Sequence, residues 1–266
     1  MANMRLVDAA AADAYLDRID AARPACLDAG ALRTLQRRHL LAVPLENLGM
    51  HLGEPATLDE PVLFDKIVRR RRGGLCHELN GLFALLLTAL GFEVDLLPGR
   101  VHGADGFGPP FDHLALRVAA PESPWPWLVD VGFGRFSERP LRLDNRREQP
   151  DPAGIFRLVD TDDGDLVVLR DTSPEYRLER RARALPDFEA AYWWRATSPR
   201  SPFTRSLVCS RMTTTGRVAL RGRVLVETVA DERHESDLGD DAAVLAAYRK
   251  HFGFELDRVP EISPRL

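Results

Sequence analysis

Cysteine is scarce in this sequence. Its three copies, Cys26, Cys76 and Cys209, are odd in number and far apart, which argues against a disulfide framework. No CxxC pair occurs, and Cys76-His77-Glu78-Leu79-Asn80 lacks the second histidine of HExxH. No metal site is therefore expected. Long apolar runs are missing as well. The longest, Leu82 to Leu90, contains Thr88 and falls short of the roughly 18 residues that a membrane span needs. The first residues lack the charged, apolar and cleavage regions of a secretory signal, so the expected location is cytoplasmic, with no membrane partner. Nor is one sign of charge in large excess. The formal net charge is −4, which gives no global attraction for nucleic acid and leaves any phosphate binding to local groups. Internal repeats and low-complexity tracts are absent. What is present is 266 residues with 45% hydrophobic content, enough for one large core or two to three small ones.

Helical spacing dominates as far as Gly91. Ala10 to Arg23 carries Tyr15, Leu16 and Ile19 on one side, and Pro24 closes it. Ala31 to Leu41 repeats Leu32, Leu35 and Leu40. Asp59-Glu60-Pro61 starts a helix with proline near its first position. Its apolar face is Leu63, Phe64, Ile67 and Val68. Gly73-Gly74 breaks the pattern. A new helix then buries Leu79, Leu82, Phe83, Leu86 and Leu90 and stops at Gly91. Short apolar or alternating runs follow at Glu93–Leu97, His113–Val118, Trp127–Val131, Phe156–Val159 and Leu166–Leu169. They are separated by Gly, Pro and Asp-rich turns, the pattern of a small antiparallel barrel. Asp144 to Pro152 reads as an exposed loop. Beyond Pro186 come the aromatic cluster Tyr192, Trp193 and Trp194, strands at Leu207–Arg211, Gly216–Leu220 and Arg223–Thr228, and a helix over Asp240–His251. Helices, then strands, then a mixed unit define an α+β chain.

Chemistry concentrates around Arg72-Gly73-Gly74-Leu75-Cys76. The glycines let the backbone turn tightly and let a substrate approach. Cys76 falls in the first turn of the next helix, where unpaired N–H groups and the helix dipole favour a thiolate. The competing reading is a small buried residue at a helix start. A nucleophile needs a base, and the base needs an orienting group. His113 opens one strand and Asp130 ends another. A carboxylate in that apolar setting requires a partner, so Asp130···His113···Cys76 has the logic of a triad. His77 adjoins Cys76, but helix neighbours point about 100° apart, so it is expected to aim poorly. His102 lies in a loop. Gly132-Phe133-Gly134-Arg135 either cradles a phosphate or simply turns the chain.

These residues together resemble the arylamine N-acetyltransferases. The segment Arg72 to Phe83 resembles that family's nucleophile segment, and Val43-Pro44-Leu45-Glu46-Asn47-Leu48 its Pro-Phe-Glu-Asn-Leu segment. His113-Leu114 and Asp130 to Gly134 stand where its histidine and aspartate stand. Thr197 to Phe203, Thr214 to Arg217 and Leu220 to Arg223 continue the match. The resemblance implies a helical domain over 1–91, a β-barrel domain over 92–188 and an α/β lid over 189–266, in a cysteine-protease-like arrangement. It also implies a ping-pong acetyl transfer, with a role in xenobiotic metabolism. The donor would be acetyl-CoA, and the acceptor an aromatic amine, hydrazine or N-hydroxyarylamine. Cys76, His113 and Asp130 would be catalytic. Leu45 and Phe133 would line the acceptor pocket, and Gly132, Gly134 and Phe203 the CoA path. Leu45 replaces a phenylalanine of the family pattern. Tyr192 and Ala196 replace its asparagine and serine. Asp112 stands where a small or hydroxyl residue is usual, a carboxylate that could raise the histidine pKa. Three rivals stay open: an amide synthase joining an acyl thioester to an aromatic amine, a cysteine hydrolase or transglutaminase-like enzyme, and a non-catalytic CoA-binding protein.

Overall fold

The computed structural model describes residues 9–230 and 232–262. The outermost ends of the expected first and third domains, residues 1–8 and 263–266, lie outside the described residues. Helices are α1 (Ala9–Arg18), α2 (Ala29–Ala42), α3 (Leu48–Leu52), α4 (Glu60–Phe64), α5 (Cys76–Leu90), α6 (Glu189–Thr197) and α7 (Asp241–Ala247). Strands β1 to β5 are Leu45–Glu46, Glu93–Gly103, Gly106–Phe107, His113–Ala119 and Pro126–Val129. Strands β6 to β10 are Leu141–Arg142, Gln149–Asp151, Gly154–Asp160, Leu166–Arg170 and Ser173–Leu178. Strands β11 to β14 are Cys209–Thr213, Gly216–Arg221, Val224–Val229 and Glu232–Asp237. No helix among the described residues is long and apolar enough to cross a membrane.

Local chemistry sets the helix ends. The Asp28 side chain caps α2 through the Ala31 N–H at 2.7 Å. Gly91 closes α5 in the left-handed region at φ 105°, where glycine carries no Cβ penalty. The first helix stops at Arg18, earlier than the expected Arg23. Asp20 takes φ 51°, and buried Arg18 donates to the carbonyls of Ile67, Ala42 and Arg71 at 2.9–3.0 Å. That anchorage turns the chain before the proline does.

The first core joins α1, α2 and α5 to the outer face of β4. Leu79, Leu82, Phe83 and Leu86 of α5 are fully buried against Leu114, Leu116 and Val118. Each such side chain contributes about 1.5–3 kcal/mol. The second core fills the barrel, with Leu97, Ala115, Leu128, Phe156, Val168 and Tyr176 pointing inward. Its sheet runs β6-β5-β4-β2-β10-β9-β8-β7, with β3 beside β2. The ends nearly meet. Gln149 of β7 accepts from the Arg142 N–H of β6 at 2.6 Å and returns its amide to the Arg142 carbonyl at 3.0 Å. One side chain thus imitates a peptide group across the seam. The expected loop 144–152 is therefore partly strand, because β7 is polar and gives no apolar alternation.

The third core packs α7 on the sheet β1-β11-β12-β13-β14. Its first strand comes from far upstream. Leu45 and Glu46 pair with Ser210 and Cys209, and Leu48 of α3 is buried among Val218, Leu220 and Tyr248. Residues 45–52 therefore join the first and third units.

Buried His39 makes the fold acid-sensitive. Its Nδ1 meets the Tyr15 hydroxyl at 3.1 Å, and burial, with the nearby Arg18 charge, lowers its pKa to about 3. The ring is neutral when folded, whereas the unfolded chain takes a proton near pH 6.5. Stability is present above that value and is lost as pH falls toward 3. The expected slope from this one group is about 1.4 kcal/mol per pH unit. Urea unfolding between pH 6.5 and 4.5 measures it, and His39→Gln should flatten the curve. Equal slopes in both proteins would refute the assignment.

Candidate active site

Three elements converge on one sulfur. Cys76 begins α5, His113 begins β4, and Asp130 follows the end of β5. The pairing of β4 with β5 places Leu116 opposite Val129, which brings the start of one strand beside the end of the other. Gly99 faces His113 across β2. A Cβ there would come within 3.1 Å of the His113 Cβ, so the glycine leaves room for the ring.

His113 Nε2 donates to Asp130 Oδ2 at 2.7 Å, and both groups are buried. That leaves Nδ1 for the hydrogen bond that His113 makes with Cys76. Burial by itself would lower the histidine pKa. The Asp130 charge and hydrogen bond outweigh it and hold the value raised. Burial alone would likewise raise the thiol. Interactions with the His77 and His113 rings, His77 foremost, outweigh burial and bring the thiol well below its ordinary range. The favoured state is a thiolate beside an imidazolium. Tyr176 and Phe133 cover His113, with ring centroids 5.0 and 5.2 Å away.

Asn80 was not expected in this role. It sits four residues after Cys76, on the same face of α5. Its Nδ2 donates to Asp130 Oδ1 at 2.9 Å and to the Leu114 carbonyl at 2.6 Å. Its Oδ1 accepts from Val131 N–H at 2.9 Å. One amide therefore ties the helix of Cys76 to the strand that begins at His113 and to the turn that carries Asp130. An asparagine beside the apolar stripe, one turn after Cys76, was the available signal.

Buried ion pairs hold the turn before Cys76. Arg72 bonds Glu46 at 2.8 and 2.9 Å, and Glu46 also accepts from the Leu48 and Gly73 N–H groups. Lys66 meets Glu78 at 2.7 Å, and Glu78 accepts from Leu75 N–H at 2.8 Å. Asn47 donates to the carbonyls of Phe203 and Ser206 and accepts from Val208 N–H, fastening the Phe203 turn.

The other expected residues border this centre. Gly132 is pressed against the Cys76 backbone. A Cβ there would stand 2.6 Å from Cys76 Cα, so the glycine serves a close approach. Gly134 has φ 91° and faces Leu45. Phe203 lies under the Arg195 guanidinium at 5.2 Å. Two expectations change. Asp112 is paired with Arg195, and the raised histidine pKa comes from Asp130. His77 is well aimed after all: its Nδ1 lies 3.5 Å from Cys76 Sγ. Among the described residues no group of three or more His, Cys, Asp or Glu could hold a metal ion.

Comparison with known proteins defines the class. Residues 28–261 match the family model described as N-acetyltransferase. The chain is 36% identical over 258 residues to arylamine N-acetyltransferase of Mycobacterium tuberculosis, covering 93% of this chain and 90% of the relative. It is 32% identical to arylamine N-acetyltransferase 1 of Bos taurus, covering 85% and 86%. The solved Salmonella typhimurium arylamine N-acetyltransferase superposes with a TM-score of 0.84 at 30% identity, covering 92% of this chain and 91% of that one. The Mycobacterium marinum enzyme, solved in complex with CoA, gives 0.83 at 33% identity, covering 91% and 92%. The chain belongs to the arylamine N-acetyltransferase family.

Proposed function

We propose that this enzyme moves an acetyl group from acetyl-CoA through a Cys76 thioester to an aromatic amine, hydrazine or N-hydroxyarylamine. The observation that carries the reading is the buried chain Cys76–His113–Asp130, with His113 donating to Asp130 at 2.7 Å and the pKa shifts of both the thiol and the imidazole favouring the ion pair. The Cys76 sulfur attacks the thioester carbonyl carbon. The C–S bond to CoA breaks, and the departing CoA thiolate takes the proton from His113. The amine then attacks the Cys76 thioester, His113 accepts the amine proton, and the Cys76 thiolate is released. Asp130 stabilises the imidazolium and fixes its tautomer. First-turn N–H groups of α5, that of Cys76 foremost, are candidates for stabilising the oxyanion.

Phe133, half-buried at the edge of the His113 ring, and Leu45 suit an aryl acceptor. Gly134 and Phe203 remain candidates for the CoA path, and Gly132 positions the loop they border. CoA binding in the Mycobacterium marinum relative supports the donor. The division at 91/92 and 188/189 is proposed: the barrel core lies within 92–188, and the third core within 189–266 apart from Leu48 and Leu52, while the first core extends past both boundaries to Leu114, Val129 and Tyr192.

Brief incubation with acetyl-CoA, without amine, should add about 42 Da to the intact protein as one acetyl group. The adduct should be absent in Cys76→Ala and should discharge when an arylamine is added. A folded protein that forms no adduct would overturn the covalent step.

A further inference from the structure

The mechanism above uses one histidine, yet a second lies against the same sulfur. His77 is fully buried. Its Nδ1 is 3.5 Å from Cys76 Sγ, and its Nε2 is 2.9 Å from the Phe111 carbonyl. A carbonyl can only accept, so Nε2 carries the proton. In the neutral ring Nδ1 is then an acceptor facing the thiol. In the protonated ring it is a donor facing the thiolate. Phe188 and Tyr192 flank the imidazole, with centroids 5.9 and 5.8 Å away, which restrains it from turning. Phe111 itself holds φ 61°, a left-handed conformation that costs a non-glycine residue on the order of 1–2 kcal/mol. The strain presents its carbonyl to His77.

We propose that His77 is a second proton acceptor for Cys76, sharing one proton with His113. This rests on Cys76 being the nucleophile. The Cys76 S–H bond breaks, its electron pair stays on sulfur, and the proton bonds to His77 Nδ1. The Nε2–H bond to Phe111 persists throughout. The thiol has one proton to give, so the two rings compete for it. Of the titratable and charged groups around the sulfur, His77 shares α5 with Cys76, Asp112 and His113 stand just before and at the start of β4, and Tyr192 and Arg195 come from α6. Asp112 is paired with Arg195, and Asp130 is paired with His113, so the carboxylate that backs an imidazolium lies with His113. His113, backed by Asp130, holds the proton in the resting enzyme. His77 takes it when His113 cannot.

Alkylation of Cys76 by iodoacetamide, located by peptide mass and followed from pH 5 to 9, tests the proposal. His113→Gln should still react at pH 6 about tenfold or more faster than a free thiol, since each unit of thiol pKa is tenfold in thiolate. Adding His77→Phe, which keeps a flat ring between Phe188 and Tyr192, should abolish that excess. An unchanged rate in the double variant overturns the role of His77. A label that does not select Cys76 in the wild type overturns the nucleophile assignment instead. In unmutated protein, the nitrogen-15 resonance of His77 Nδ1 should shift when Cys76 is alkylated, and a static resonance also counts against the proposal.

Discussion

Asp130→Asn should lower acetyl transfer by about 10⁴-fold while leaving the protein folded. Asn can keep Oδ1 as acceptor for Asn80 and Gly132, which hold it at 2.9 Å each. Its Nδ2 then replaces the oxygen that faces His113 Nε2. A donor meets a donor, so His113 must move its proton to Nδ1. That nitrogen faces Cys76 and can no longer accept from the thiol. The negative charge that supports the imidazolium is lost as well. kcat/KM for an arylamine reads the effect, and alkylation of Cys76 near pH 6 should slow with it. A thermal midpoint close to the wild type separates this outcome from misfolding. Near-normal turnover would show that the tautomer does not matter and would remove Asp130 from the mechanism.

Arg72→Met should cost about 3–5 kcal/mol of stability. Glu46 is fully buried. Burial opposes its ionisation, and the Arg72 and Lys66 charges, with the Leu48 N–H, hold its pKa below the ordinary value. Such a group contributes stability above its unfolded pKa of about 4.5 and loses it as pH falls. Without Arg72 the carboxylate stays buried beside the more distant Lys66. The damage should therefore shrink in acid, where Glu46 can be neutral. For a chain of this size the loss corresponds to a drop of about 6–20 °C in midpoint. The double variant Glu46→Leu/Arg72→Met should recover part of it, because no unpaired charge remains. A loss under about 1 kcal/mol in the single variant would mean that water reaches the pair.

Much of this organisation was legible in the residues, for identifiable reasons. Helix α5 announced both ends, through Gly73-Gly74 and Gly91, and its apolar stripe was unbroken. The start of β4 and the end of β5 were marked by a histidine and an aspartate bordering apolar runs. Their convergence was not legible, since it depends on strand register. β7 and β14 escaped because polar residues on both faces leave no alternation; every side chain of β14 is exposed. The aim of His77 was misjudged because spacing of 100° describes directions from the helix axis. A ring drawn to the Phe111 carbonyl departs from that direction. Asp112 was linked to its neighbour His113, although its partner Arg195 lies in another unit, out of reach of local reasoning.

The Gln149 seam bears on how the protein behaves in crowded solution. A sheet of this breadth would ordinarily present two rows of free amides and carbonyls, a template for strands of other chains. Here β6 is two residues long and β7 three, and one amide occupies both peptide groups of Arg142. At that residue the edge is occupied from within. The contact that shapes the barrel thus also withholds the Arg142 backbone from pairing with a foreign strand.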